Sequence, residues 1–238
     1  MKNKYKIASV ILARAGSKGL KNKNLVLLDG KHLIFYAIQA AKSSKLIDRV
    51  FVSTDSPKIK NISKKYGAEV PFLRKKKYSG DKATTEGTLR NFLDELKIKK
   101  KYSPDIIVYF QITDIFRNIS LIDKCINNLI KNKNIDSSFI ATPVHKNFWK
   151  IYNNKFARLN RFNLYLPRQN KKPIYREDTG LCLATRNVCI TKTKRIGKNV
   201  KIVLNKSRID MVDIHDKNDL FLAKQIIKKT KMKPNFSI

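Results

Sequence analysis

Residues 6–24 read KIASVILARAGSKGLKNKN. Through Leu12 the run is continuously apolar and rich in β-branched residues, the pattern of a strand buried on both faces. From Ala13 it becomes a loop that holds Arg14, Lys18, Lys21 and Lys23, two glycines and no acid. Before a helix predicted to begin near His32, roughly sixteen residues have no element of their own, and loops of that length in compact domains tend to be functional. The glycines permit close backbone approach, and the cations can neutralise a polyphosphate. The loop matches neither GxxxxGK[ST] nor GxGxxG. Its composition leaves two readings open, a phosphate cradle and a merely solvated basic loop.

Working outward, the chain alternates strands with helices of about 10 to 15 residues. HLIFYAIQAAKSS has helical spacing at Leu33, Tyr36, Ala37, Ala40 and Ala41, and RVFVST is a short strand. A helix over 57–66 ended by Gly67, a strand EVPFL, a helix over 85–96 and a buried strand DIIVYFQI follow. A helix over 120–131 and a strand SSFIATPV complete the rhythm. This order implies an α/β, Rossmann-like, doubly wound and mainly parallel sheet, with ligands outside the carboxyl ends of the strands. Residues 145–185 break the pattern. FWKIYNNKFARL reads as a hairpin about Asn153 and Asn154, followed by a polar stretch and a strand LCLAT, an insertion suited to a lid or a dimer contact. A last strand, IDMVDI, leads into a helix for which Asp216 is the N-cap. With no repeat and no linker, the 238 residues form a single domain.

The net charge of +34 would ordinarily suggest nucleic acid or an anionic membrane. Here 40 lysines outnumber 12 arginines, and the runs are spread along the chain without interleaved aromatics. They read as solvated surface, so neither a nucleic-acid nor a membrane partner is expected. Cys125, Cys182 and Cys189 show no CxxC pairing, which argues against a disulfide framework or a zinc site and for a reducing cytoplasm. The N-terminal apolar run is cut by Arg14 and makes a poor export signal, and no stretch approaches the ~20 apolar residues of a membrane span. His32 and His145 lack metal spacing and are read as structural.

ILARAGSKGLKNKNL resembles the N-terminal signature, ARxGSKGxxxKN, of the acylneuraminate cytidylyltransferases, which activate sialic-acid-like sugars. The resemblance continues in order through YGAEVPFLR, GDKATT, FQITDIFR, LPRQ, REDTG and VDIHDKNDLFLAK, and so covers nearly the whole chain. It implies a nucleotide-diphospho-sugar transferase type of fold and a CTP-binding loop made by Ala13, Arg14, Ser17, Lys18, Gly19, Lys23 and Asn24. It also places Arg74 near the nucleotide and Thr84 at the base; alone, these would be a surface cation and a helix N-cap. Gln111 would touch sugar or nucleotide, the other reading being a loop anchor. FQITDIFR departs from the family's LQPTSPLR by losing both prolines, with Ile112 and Ile115 in their places.

Lys150, Arg168 and Gln169 match positions facing the acceptor, where Arg168 would hold a carboxylate unless it forms an inter-subunit salt bridge. In VDIHDKND, Asp213 matches the first carboxylate of the family's DxD, but His215 stands in place of the second. Mg2+ prefers oxygen ligands, so Asp213 is expected to ligate it, with His215 beside rather than on the metal and Asp114 or Asp216 as candidate compensating carboxylates. The implied activity is Mg2+-dependent transfer of CMP from CTP to an ulosonic acid with loss of pyrophosphate, by a homodimer, with Arg14, Lys23 and Asp213 central to the chemistry. The rivals are the 3-deoxy-manno-octulosonate enzyme, whose opening loop usually differs, and a homologue that binds nucleotide without turnover.

Overall fold

The computed structural model describes residues 4–16, 19–20, 22–159, 165–207 and 209–230. The order is β1 (Ile7–Leu12), β2 (Leu27–Leu28), β3 (Lys31–His32), α1 (Leu33–Ser43), β4 (Arg49–Ser53), α2 (Pro57–Lys65), α3 (Thr85–Lys100) and β5 (Ile106–Phe110). Then come α4 (Ile119–Lys131), β6 (Ser137–Val144), β7 (Trp149–Tyr152), β8 (Lys155–Arg158), β9 (Ile174–Glu177), β10 (Leu183–Arg186), β11 (Val200–Leu204) and α5 (Lys217–Thr230). A seven-stranded sheet runs β11-β6-β10-β5-β1-β4, with β9 also paired to β6. Its strands β4, β1, β5, β6 and β11 point one way, and β10 runs against both β5 and β6. The expected α/β, mainly parallel sheet is therefore present, with β9 and β10 as its antiparallel members.

Period-2 alternation sorts the strand side chains onto the two faces. Ile7 and Ile11 of β1 and Ile106, Val108 and Phe110 of β5 pack with α1 and α4, whereas Ala8, Val10, Ile107 and Tyr109 pack with α3. Phe51 and Phe92 meet on the α3 face with ring centroids 5.8 Å apart, and truncating either to alanine should cost about 3–5 kcal/mol. Local signals set the element ends. Ser56 caps α2 by accepting the Ile59 N–H, and Gly67, at φ +87°, closes it with Gly67 and Ala68 N–H groups bonded back to Lys64 and Ser63. Asn153 and Asn154, at φ 48° and 57°, make the left-handed pair that a two-residue hairpin between β7 and β8 requires.

Three expectations change. EVPFL is no strand beyond a single bridge from Glu69 to Phe51, because Pro71 cannot donate to a ladder and the chain turns so that the Arg74 N–H reaches the Thr54 carbonyl. IDMVDI is a 3-10 turn at Ile209–Met211 and one bridge, Asp114 to Asp213; Asp210 folds back onto Ser207 instead of extending. The sheet edge beside β6 belongs instead to β11, whose VKIVL run the element reading passed over. The long first loop also carries structure of its own, a 3-10 turn at Lys23–Leu25 and the small hairpin of β2 and β3.

Candidate active site

β1 leads through α1 to its neighbour β4 on one side, while β5 lies on its other side, reached after α3 on the opposite face. This is the point where such a sheet reverses its winding and opens a crevice at the strand ends. A cleft of about 380 Å³ lies there, lined by Leu12, Arg14, Gly19, Lys23, Asn24, Gln111 and His215 among others. A second of about 270 Å³ shares Leu12, Arg14 and Tyr109 with the first and adds Arg74, Asp81 and Thr84.

The opening loop is anchored to its surroundings. The Ala13 N–H donates to the Ser53 carbonyl at 2.9 Å, the Ala15 N–H to Asp55 at 2.9 Å, and the buried Asn24 amide to the Arg14 carbonyl at 2.8 Å. Ala13 is fully buried, so only its backbone can meet a ligand. Arg14 reaches Asp81 at 3.0 Å, a half-exposed pair worth at most about 1 kcal/mol and easily exchanged for a phosphate. A Cβ on Gly19 would fall 2.8 Å from the His215 carbonyl oxygen, so glycine is what lets the loop close over that segment. Lys23 is half-buried, and desolvation lowers its pKa against the opposing pull of Asp213 and Asp219. Ser17 and Lys18 lie outside the described residues, as does Lys21.

Around the second cleft, Arg74 is no surface cation. Its guanidinium donates to the Ser53 carbonyl and hydroxyl and to the Tyr78 carbonyl, and burial lowers it to about 10. Thr84 is the N-cap of α3, accepting the Gly87 N–H at 3.1 Å, so the capping role and a place on the cleft wall coexist.

Asp213 sits where the backbone bridges to Asp114. Its Oδ2 is 2.7 Å from His215 Nε2, while its Oδ1 is buried without a hydrogen-bond partner among the described residues. Asp114, enclosed beside Gly180, has its carboxyl pushed up to about 7 by burial; Arg117 opposes this, and Asp213 and Asp178 add to it. Asp216 is committed elsewhere, since its carboxylate accepts the Asn218 and Asp219 N–H groups while Asp219 accepts those of His215 and Asp216, a reciprocal cap on α5. Among the described residues no set of three or more His, Cys, Asp or Glu side chains could cage a metal by itself. A carboxylate oxygen left over beside His215, which lines the cationic cleft, nonetheless suits Mg2+, which keeps waters and takes phosphate oxygens alongside one or two carboxylates.

A larger cavity, about 770 Å³, lies beside the carboxyl ends of β6 and β11. Thr142, His145, Lys146, Arg168, Lys171, Lys206 and Met211 are among its lining, which holds four cations and no acid. Its Thr142 donates to the buried Asp178 at 2.5 Å. The structure thus gathers Arg14, Gly19, Lys23, Asn24 and Gln111 in one cleft and places Arg168 in the neighbouring cavity. Lys150, on β7 with its ammonium 5.4 Å from the Tyr152 ring centroid, lines none of these cavities, nor does exposed Gln169.

Tyr109 is the residue that sequence reasoning missed. It is 4% exposed and, with Leu12 and Arg14, lines both clefts, beside Thr85 in one and Gln111 in the other. Its only sequence signal is a polar-tipped aromatic near the carboxyl end of an otherwise aliphatic strand.

The family model for cytidylyltransferases matches residues 8–229. CMP-N,N'-diacetyllegionaminic acid synthase of Legionella pneumophila is 29% identical over 227 residues, 93% of this chain and 96% of that protein. The pseudaminic acid cytidylyltransferase and UDP-2,4-diacetamido-2,4,6-trideoxy-beta-L-altropyranose hydrolase of Helicobacter pylori is 28% identical over 208 residues, 87% of this chain but 40% of that protein, so the chain spans two fifths of that relative. A solved CMP:2-keto-3-deoxy-manno-octonic acid synthetase with CTP superposes at a TM-score of 0.69 over 94% of this chain and 99% of that one, at 14% identity, which shows a common fold.

Proposed function

Because the chain belongs to the cytidylyltransferase family, we propose that it transfers CMP from CTP to the anomeric hydroxyl of a sialic-acid-like ulosonic acid and releases pyrophosphate. The observation that carries this reading is the cationic cleft at the ends of β1 and β5, lined by Arg14, Lys23 and the His215 that pairs with Asp213, together with a second cavity that has Arg168 at its rim. The first has the cations and close backbone for a triphosphate, and the second has the guanidinium for a sugar carboxylate. Relatives whose names specify CMP-legionaminic and pseudaminic acid synthesis support the acceptor class.

In this reading the acceptor hydroxyl oxygen bonds to the α-phosphorus, the bond to the bridging oxygen breaks, and the hydroxyl proton leaves to solvent. Arg14 and Lys23 hold the triphosphate and balance the charge that grows on the departing pyrophosphate. Arg74 and Thr84 shape the base-side wall, and Gln111 faces the gap between the substrates. No protein nucleophile is required, because alignment and electrostatics supply most of the rate in such transfers. Asp213 would hold Mg2+ through its orphaned Oδ1, and the ion when bound would supply charge neutralisation at the phosphates.

We also propose that a second copy of the chain covers the β7–β8 hairpin. Ile151, Tyr152 and Phe156 are 67%, 64% and 74% exposed there, and an isolated two-stranded hairpin is marginal in water. No helix among the described residues is long and apolar enough to cross a membrane. The free thiols of Cys125, Cys182 and Cys189 support a reducing, cytoplasmic setting.

The test is pyrophosphate release from CTP and Mg2+ with a panel of ulosonic acids that includes 3-deoxy-manno-octulosonate. Turnover with a nine-carbon acid is expected. Turnover with the octulosonate alone, or CTP binding without turnover, contradicts the reading.

A further inference from the structure

We propose that Arg195 is a positioning residue that fixes the base-side cleft and the acceptor side of the site in one geometry. Its guanidinium pairs with Glu86 in the first turn of α3, the helix whose Thr84, Thr85 and Thr88 wall the base-side cleft. From the same group, Nη2 donates to Thr179 at 3.2 Å and lies 3.6 Å from Glu177, at the head of the loop that carries Asp178 and Gly180. That loop abuts the acceptor side, because the Gly180 Cα lies against Asp114 and Gln111 and Asp178 accepts from Thr142 of the acceptor cavity. Between the two ends, the guanidinium carbon sits 5.9 Å from the Tyr109 ring centroid, and Tyr109 lines the base-side cleft with Thr85 and the neighbouring cleft with Gln111. Arg195 thus joins Glu86 on α3, Tyr109 on β5 and Thr179 beside Gly180, whose carbonyl accepts the Gln111 N–H at 2.9 Å.

The chemistry favours arginine here. Only a planar fork with several donors can satisfy two carboxylates and a hydroxyl from one position; a lysine ammonium is a single point charge on a flexible stem. Arg195 and Glu86 are about four-fifths buried, where a charged bridge is held in place more firmly than at the surface. Arg195 lines none of the three cavities, so its effect must pass through alignment, and a misplacement of about 1 Å can cost on the order of a hundredfold in rate.

The inference rests on the proposed transfer reaction. The experiment compares wild type, Arg195→Ala and Arg195→Lys by kcat at saturating CTP and ulosonic acid, corrected for active fraction, and by calorimetric titration with CTP alone. Both variants should lose roughly tenfold or more in kcat while the CTP Kd stays within about threefold, and lysine should not rescue. A merely structural role would lower the active fraction and leave corrected kcat unchanged. Should Arg195→Ala fail to fold, Glu177→Gln, which removes only the half-exposed end of the bridge, carries the same prediction in smaller measure. An active wild type with unchanged kcat in the variants overturns the inference alone; a wild type that turns over no acid overturns the reaction and the inference with it.

Discussion

His215, which lines the cationic cleft, has its Nε2 2.7 Å from Asp213 Oδ2, and the other oxygen of that carboxylate is buried and unpartnered among the described residues. An imidazole held in this way orients the carboxylate and leaves ligation to it, a division of labour common around metal-binding side chains. Asp213→Asn should therefore lower kcat/KM more than tenfold, whereas His215→Ala should mainly raise the half-saturating Mg2+ concentration, by about tenfold. Steady-state kinetics over a Mg2+ titration check both. Full activity with an unchanged Mg2+ requirement in Asp213→Asn would sink the assignment.

Gly19 has no room for a side chain. Its Cβ would meet a backbone carbonyl, that of His215, at 2.8 Å, and neither partner is a flexible side-chain tip. Gly19→Ala should raise the CTP Kd by more than tenfold and leave the melting temperature within a few degrees, since the clash lies at a loop and not in the core. Calorimetric titration and a thermal melt measure the two separately.

Arg168, exposed at the rim of the second cavity, is assigned to the acceptor carboxylate. Losing a bidentate charge-assisted contact removes about 1.5–3 kcal/mol, so Arg168→Ala should raise the acceptor KM by roughly 10- to 100-fold with the CTP Kd unchanged. A matching loss of CTP affinity would place Arg168 on the nucleotide or on the fold instead.

Asp114 gives the metal-free protein a pH dependence of determined sign. Its carboxyl titrates near 3.8 when unfolded and at about 7 in the fold, because burial penalises the charged form. The folded state therefore holds this proton more tightly, and stability is undiminished by Asp114 below pH ~4 and falls as pH rises towards 7, by a few kcal/mol at most. Melting curves across this range should show that decline in wild type and a flatter profile in Asp114→Asn. The same decline in the variant would assign it to another group.

The first strand, its loop and the βαβ order could be read from residues because their signals are local: a two-faced apolar run, glycines, and capping residues such as Thr84 and Asp216. VKIVL at β11 escaped because an edge strand with Val200, Ile202 and Leu204 exposed lacks the clean burial alternation that marks a strand. IDMVDI misled in the opposite sense. It has strand composition, but the sheet edge was already occupied, a fact of tertiary pairing that no local pattern records. Within the site, motif positions located Arg14, Lys23, Asn24 and Gln111 on one cleft. Tyr109 and Arg195 could not be found this way, because their neighbours Thr85 and Glu86 lie 24 and 109 positions away and only the fold brings them together.

The decisive measurement is a crystal structure of the protein with CTP and Mg2+. The triphosphate should lie between Arg14, Gly19 and Lys23 at the ends of β1 and β5, the base against Arg74 and Thr84, and the ion on Asp213 Oδ1. Density for CTP in the cavity beside Arg168, with the cleft between β1 and β5 empty, would contradict the assignment of both cavities.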